Sequence, residues 1–274
     1  MLYFKSDFGE MPLINNPYFT VTNIDGVTRT NSNISSVVIP YVDGDTITNI
    51  QAQPREVTIY LRLKQSAGIE AAKRYIFDVV KPKAKGSLRL TNDKDITLNG
   101  IVESIDLPRF YQGCTMEITL YCSQPFWEDT EYQEAAIARV IGLHHYPISF
   151  IADGEPLGVY DDDTTQAINN TGDVSTGMQI NIICTGEVIN PKIVNAQTGE
   201  FIGVIGVFNE NDEIIITTFK GNKTIKKNGT NVLNTIMQGS TFLQLAVGAN
   251  ELHIEALSGI DNVYFNISYK RLYV

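Results

Sequence analysis

The stretch "MEITLYCSQPFWED", Met116–Asp129, holds the clearest strand pattern of the chain, followed by its only tryptophan, Trp127. Every second residue of its first half is apolar, namely Met116, Ile118, Leu120 and Cys122. A period of two indicates a half-buried antiparallel strand. Because an acidic, weakly periodic segment follows Trp127, we predict that this residue closes a first hydrophobic core. A domain boundary is then expected within residues 128–140.

The residues before this stretch combine similar strands with one helix. "VTIYLRL", Val57–Leu63, alternates in the same way, and "GSLRLT" and "ITLNGIVESIDL" are predicted as further strands. Residues 66–80 carry apolar side chains at helical spacing, with Ser66 as the expected N-cap and Pro82 as the stop. Asp25-Gly26 after "FTVTNI" predicts a tight hairpin turn.

The residues after the boundary carry only strand patterns. They are "MQINIIC", "EIIIT", "TFLQLAVG", "NELHIEAL" and "VYFNISYKRLYV", separated by Gly and Asn turns. This spacing is typical of a β-sandwich or jelly roll. The chain is therefore predicted to be mainly β. Residues 1–134 form a β-barrel or sheet domain with one α-helix, and residues 135–274 form a β-sandwich.

Composition excludes several classes of function. The net charge is −10, from 21 basic and 31 acidic residues, which disfavours binding to a phosphate backbone. The N-terminus does not have the pattern of a signal peptide, and no apolar run is long enough to predict membrane insertion. Cys114, Cys122 and Cys184 lack metal-ligand spacing and are expected to be thiols in a reducing cytosol.

We predict no catalytic, cofactor-binding or metal-ligating residue, and hence no enzyme. The adjacent pair His144-His145 would point to opposite faces of a strand, and His253 lies at an outward position. Asp161–Asp163 lack the spacing of a calcium loop. The carboxylate pairs Asp93/Asp95 and Glu128/Asp129 are interpreted as hydrated turns.

The order of several motifs resembles the distal tail protein (Dit) family of long-tailed, siphovirus-type bacteriophages or prophages. These motifs are the "DG" at Asp43-Gly44, "REVTI" from Arg55, "LNGIVES", "CSQPFW" and, more loosely, "GEVINPKIVNAQTGE" and "STFLQLAVGANEL". The resemblance covers essentially the whole chain. It implies a structural virion protein with a galectin-like C-terminal domain and an N-terminal domain that assembles into a ring.

In that family the N-terminal domains form a hexameric ring at the tail tip, singly or as a double ring. The resemblance therefore implies as partners the tail tube protein, the tail-associated hub or lysin protein, and receptor-binding or baseplate proteins. DNA would pass through the pore without specific binding, and the negative charge suits such a channel. Assembly would take place in the bacterial host cytoplasm. The chain has no spare length for an inserted carbohydrate-binding module.

The polar, Asn-rich span from Thr30 to Gln53 is long for a loop of a compact domain. We predict that it reaches a neighbouring subunit and pairs there as an added strand. Two other classes of function stay open. A carbohydrate- or receptor-binding sandwich could use Tyr160, Tyr264 or Phe219, and a wall-degrading hydrolase would need a catalytic constellation that the sequence does not suggest.

Overall fold

The computed structural model describes residues 1–28, 30–107, 114–136, 140–142, 158–160 and 165–274. They form two compact units, residues 1–130 with 272–274 and residues 131–271. Strands dominate both units, which confirms the prediction of a mainly β protein.

The first unit is one large sheet with a helix and a separate two-stranded ribbon. Its strands and helix are β1 (Leu2–Ser6), β2 (Gly9–Pro12), β3 (Phe19–Asp25), β4 (Ser32–Val37), β5 (Thr46–Ala52), β6 (Arg55–Leu63), α1 (Ile69–Val79), β7 (Lys85–Thr91), β8 (Asp95–Asp106), β9 (Thr115–Cys122) and β10 (Trp127–Asp129). The sheet order is β2-β1-β7-β8-β9-β6-β3, with β10 beside β8. This path has two ends in the described residues, so the sheet is open and the barrel alternative is wrong.

The predicted strands of this unit are confirmed, and their inward residues form its core. β6 and β9 pair with Ile59 opposite Ile118, and both side chains are fully buried. Trp127 belongs to the same core. The helix buries Ala72, Ile76 and Val79 as its spacing predicts.

The start of the helix differs from the prediction. Ser66 lies in a short 3-10 turn, Gln65–Ala67, and the N-cap position is Gly68, which makes no side-chain cap. Gly68 has φ +81°, a backbone conformation open to glycine and costly for serine, so the helix starts only after it and its N-cap lies two residues later than predicted.

The tight hairpin predicted at Asp25-Gly26 is also wrong. β3 does pair with β6, with Asp25 opposite Thr58. However, the chain between them does not turn in two residues. It continues into β4 and β5, which pair only with each other among the described strands.

The second unit contains two principal sheets. Its strands are β11 (Gln133–Ala136), β12 (Val140–Gly142), β13 (Gly158–Tyr160), β14 (Thr165–Asn170), β15 (Met178–Cys184), β16 (Val188–Ile189), β17 (Lys192–Asn195), β18 (Phe201–Gly203), β19 (Val207–Phe208), β20 (Glu213–Phe219), β21 (Asn222–Lys227), β22 (Thr230–Asn231), β23 (Gly248–Glu255) and β24 (Val263–Tyr269). Two 3-10 turns, Leu233–Thr235 and Ile260–Asn262, complete it.

The two sheets share one core, as expected for a sandwich. The orders are β11-β24-β15-β20-β21-β22 and β14-β23-β17-β18, and both contribute buried side chains to a single cluster. Ile180 and Ile216 lie opposite each other at its centre. The predicted strand "TFLQLAVG" is wrong. Among its residues only Leu245 makes an isolated bridge, to Thr176, before β23 begins at Gly248.

The last strand, β25 (Leu272–Tyr273), belongs to the first unit although it follows the second in the chain. It pairs with β10, with Tyr273 opposite Trp127. The Tyr273 hydroxyl donates a hydrogen bond to Asp129 Oδ1 at 3.1 Å, and Asp129 is buried. The interpretation of Asp129 as part of a hydrated turn is therefore wrong.

Asp95, whose side chain is 37% exposed, also has structural contacts. Arg89 binds both of its carboxylate oxygens, at 2.6 and 2.9 Å, and Thr130 donates to Oδ1 at 3.0 Å. The Arg89 hydrogen bond is the largest cause that holds the pKa of Asp95 at about 2. Through these hydrogen bonds Asp95 connects Thr130, the last residue before the second unit, to the sheet of the first unit.

This shift predicts a pH dependence of stability. The folded pKa of Asp95 lies below the unfolded value of about 3.9, so its contribution is present above about pH 4 and is lost as the pH falls toward 2. We expect Asp95→Asn to weaken the dependence of the first unit's melting temperature on pH in this acid range. The melting temperature is measured by calorimetry on the full chain. Asp93→Asn is the control, because the exposed Asp93 takes no part in these contacts. Equal acid sensitivity of the two variants would contradict the assignment.

Candidate assembly interface

The ribbon of β4 and β5 is the most exposed regular structure of the described chain. We call residues 31–53 the arm. Every residue of both strands is exposed. Eight large apolar side chains of the arm are exposed as well, namely Ile34, Val37, Val38, Ile39, Tyr41, Val42, Ile47 and Ile50. Such a concentration of exposed apolar side chains in one segment indicates a surface for a partner.

The arm has one apolar and one polar face. Residues directly opposite each other in an antiparallel pair share a face. Ile34 lies opposite Ile50, and Ile47 lies opposite Ser36 on that same side. Asn33 opposite Gln51 occupies the other side. A bulge between Ser35 and Ser36 keeps the isoleucines on one face.

The apolar face has no core of its own to cover it. A lone two-stranded hairpin is marginally stable in water, and burial against another surface would stabilise it. The arm is almost free of charge, with only Asp43 and Asp45, both near its tip. Depletion of charge together with exposed aliphatic and tyrosine side chains is typical of the centre of a protein–protein interface.

The base of the arm is closed by backbone contacts. The Gln53 amide donates to the Asn31 carbonyl at 2.8 Å. Just below, Gly26 has φ +83°, and a Cβ at this position would lie 1.9 Å from the Glu56 carbonyl oxygen. Only glycine fits this crossing of the two chain segments.

A buried arginine holds the segment between β3 and the arm. Arg55 is only 3% exposed; its Nη1 donates to the Val27 carbonyl and its Nη2 to Thr30 Oγ1, each at 2.5 Å. The Trp127 indole Nε1 donates to the same Val27 carbonyl at 3.3 Å. Two side chains from different strands thus fasten one carbonyl. We call Arg55, Trp127, Val27 and Thr30 the clamp.

The electrostatics of Arg55 are unusual for a buried charge. No carboxylate of the described residues forms an ion pair with it, and its buried Nε lacks a hydrogen-bond partner there. Burial lowers the pKa of the Arg55 guanidinium. The Cys122 thiol is opposite Arg55 in the sheet, and burial raises its pKa to about 11, an effect that the nearby guanidinium opposes. Burial of a cation among neutral groups destabilises the fold. The hydrogen bonds of Arg55 to Val27 and Thr30 must offset this loss.

Those residues considered for chemistry that the structure describes are not brought together. His253 contacts Glu255, and hydrogen bonds from Lys192 and His253 hold the pKa of Glu255 below its usual range. His144-His145 and Asp161–Asp163 lie outside the described residues. Within the described ranges, no group of three His, Cys, Asp or Glu side chains could hold a metal ion.

The remaining candidate residues have structural surroundings. Cys122 and Cys184 are buried and Cys114 is half-buried; all three are free thiols. Phe219 is half-buried against Tyr132, with ring centroids 6.3 Å apart, and Tyr264 is half-buried opposite Ile183 in the sheet. The side chain of Tyr160 lies outside the described part of the chain. Among the described residues, no helix has the length and apolar character needed to span a membrane.

The sequence predicts the arm but not its clamp. Arg55 is the first residue of the strand motif "REVTI". The strand pattern itself points to Arg55. It lies in register with Val57, Ile59, Leu61 and Leu63, the residues of this strand that face inward. An inward charge in such a pattern predicts a buried, hydrogen-bonded role.

Comparisons with known proteins agree with this architecture. Residues 171–273 match the family model described as siphovirus-type tail component, C-terminal domain. The crystal structure of SPP1 Dit (gp 19.1), described as a paradigm of the hub adsorption apparatus in phages that infect Gram-positive bacteria, is similar over 100% of both chains. Its TM-score is 0.71 and its sequence identity 14%.

Two structures of the phage P2 baseplate in its activated conformation are also similar. The one with Ca covers 99% of this chain and 98% of that chain, and the one with Sr covers 98% of each. Both have a TM-score of 0.52 and 12% identity. No curated relative matches the chain at a significant level.

Fold and family match together define a structural component of a siphovirus-type phage tail. Within that class, the resemblance to the distal tail protein (Dit) family is confirmed. The family model matches residues 171–273, and the likeness to SPP1 Dit over the whole length is one of fold.

Proposed function

We propose that six copies of this chain form a ring at the phage tail tip, and that the arm of each copy packs on the first unit of the next. The observation that carries this proposal is the arm itself, whose exposed apolar face requires a cover. A closed ring supplies the same cover to every copy, because each subunit both gives and receives one arm.

The proposed contact is an added strand. An incoming strand must pair with a sheet edge, and the sheet of the first unit offers β2 and β3 as its two ends. β3 is the longer of the two, with seven residues, whereas β2 has four and ends in Pro12. Proline cannot donate to a ladder and blunts an edge, so β3 is the better acceptor.

The two units would have different tasks. The first unit would form the ring between the tail tube and the tail-associated hub protein. The second, a galectin-like sandwich, would dock receptor-binding or baseplate proteins. The negative net charge would let DNA pass through the pore without binding, which requires an acidic inner wall. A structural role of this kind needs no catalysis, and assembly would precede release from the host cell.

A direct carbohydrate-binding role has weaker support. Phe219 is half-buried beside Tyr132, and Tyr264 is half-buried in a sheet, so each ring is partly covered by this chain. We therefore propose the assembly role alone.

Native mass spectrometry and negative-stain imaging of the purified full chain test the proposal. We expect a six-fold ring with a central hole, single or stacked back to back. A chain that stays monomeric, even when tail tube and hub proteins are supplied, would overturn it.

A further inference from the structure

Arg55 lies where the main sheet gives way to the arm. β3 and β6 are paired up to Asp25 and Thr58, and pairing resumes at Asn31 and Gln53. Between these points the outgoing segment has five residues, 26–30, and the returning one has four, 54–57. The two segments are not matched in length here, so the ladder alone cannot fix the direction of the arm.

The clamp acts within this mismatch. The planar guanidinium of Arg55 reaches both ends of the outgoing segment, through the Val27 carbonyl and Thr30 Oγ1. Its own backbone is fixed, because Arg55 pairs with Cys122 on β9. Trp127, anchored in the core, adds a second donor to Val27. Val27 and Thr30 of the outgoing segment are therefore held to the sheet by side-chain hydrogen bonds.

Stability of the unit alone does not account for this arrangement. Arg55 is buried without a carboxylate partner among the described residues and leaves its Nε unsatisfied there. An apolar residue at this inward position would continue the pattern of β6 and avoid both costs. The guanidinium does what an apolar side chain cannot, because its fork fixes two acceptors at a defined angle.

We propose that the clamp sets the direction in which the arm leaves the first unit, and that Arg55 is a positioning residue for ring assembly. The inference rests on the proposed function. An arm held in one direction has lost its conformational freedom before it meets the neighbour, so less entropy is lost on association. A loosened arm would still be attached and chemically intact but would pair far less often.

The test measures arm direction and assembly separately. Spin labels are placed on the polar face of the arm, at Ser35→Cys, and on the exposed Arg62→Cys of β6, in a Cys114→Ser background. Labelled chains are diluted into unlabelled ones, and the distance distribution is measured by double electron–electron resonance. Ring formation is followed by native mass over a concentration series.

Thr30→Val and Arg55→Lys are the test variants. Thr30→Val removes one acceptor without changing the core, and Arg55→Lys keeps the charge but cannot bridge both acceptors as a fork. We expect each to broaden the distance distribution at least about two-fold, and to raise the concentration needed for ring formation about ten-fold or more, which corresponds to ~1.4 kcal/mol. Thr30→Val keeps the test valid if Arg55→Lys does not fold.

Thr235→Val is the matched control. It makes the same change in a 3-10 turn of the second unit, where Thr235 Oγ1 donates to the Val232 carbonyl at 2.7 Å, and it touches neither the clamp, the arm nor β3. It should leave both readouts unchanged. A broad distribution in the unmodified protein, or an unchanged one in Thr30→Val, would overturn the clamp. Absence of rings from the unmodified protein would overturn the proposed function instead, while the distance measurement would still decide on the clamp.

Discussion

Chains with aspartate in place of both Ile34 and Ile50 should remain folded monomers at concentrations where the unmodified protein forms rings. The two side chains lie opposite each other on the apolar face of the arm and are exposed in the single chain. In the proposed ring they are buried, where an unpaired charge costs about 3–5 kcal/mol. Deletion of residues 31–49 should have the same outcome. Sedimentation velocity gives the oligomeric state, and circular dichroism checks the fold.

The polar face supplies a control of equal charge. Asn33→Asp with Gln51→Glu adds the same two negative charges to the same two strands, one residue away. This variant should still form rings. If it disrupts the ring as much as the isoleucine variant does, charge on the arm, rather than its apolar face, governs assembly. A hexamer that survives the deletion would rule out the arm as the joining element.

Gly259→Ala should destabilise the second unit by on the order of 4 kcal/mol and lower its melting temperature by on the order of 10 °C. Gly259 has φ +77°, and a Cβ there would lie 2.0 Å from the Glu187 carbonyl oxygen. That carbonyl already accepts a hydrogen bond from Asn262 Nδ2 at 3.1 Å, and Ser258 bridges to Ile189. The backbone must therefore move, and these neighbouring contacts are weakened together.

Gly221 separates the clash from the backbone conformation. It has nearly the same φ, +76°, in the turn between β20 and β21, but a Cβ there meets no atom within 4 Å. Gly221→Ala should cost only about 1 kcal/mol, the penalty of a left-handed alanine. Differential scanning calorimetry on the full chains compares the two. Equal losses would mean that the close approach to Glu187 contributes nothing.

Strands buried on one face were predictable because their pattern is local. β6, β9 and β15 bury the alternate residues that the sequence indicates, and α1 buries its apolar stripe. The errors arise where a distant contact overrides a local signal. Asp25-Gly26 has the composition of a tight turn, yet Gly26 is required for its approach to Glu56. "TFLQLAVG" has strand composition, but among the described residues only Leu245 makes a bridge.

The sequence predicts where the candidate interface lies, but not how its strands pair. Its length and low charge mark residues 31–53 as unusual, but the position of Ile47 on the same face as Ile34 and Ile50 depends on a bulge that no local motif specifies. The clamp joins Arg55 to Val27 and Trp127, the last 72 positions further along the chain by its numbering. Such a contact depends on the tertiary fold, so strand periodicity could show only that Arg55 faces inward.

The return of β25 to the first unit has a consequence for the order of events on the ribosome. Trp127 and Asp129 receive their partner Tyr273 only after residues 131–271 have been translated. A nascent chain that has just passed residue 130 still lacks the strand that completes its sheet. Copies in which translation stops within the second unit would therefore present an unfinished first unit. Incomplete polypeptides would in this way be kept out of a tail under construction.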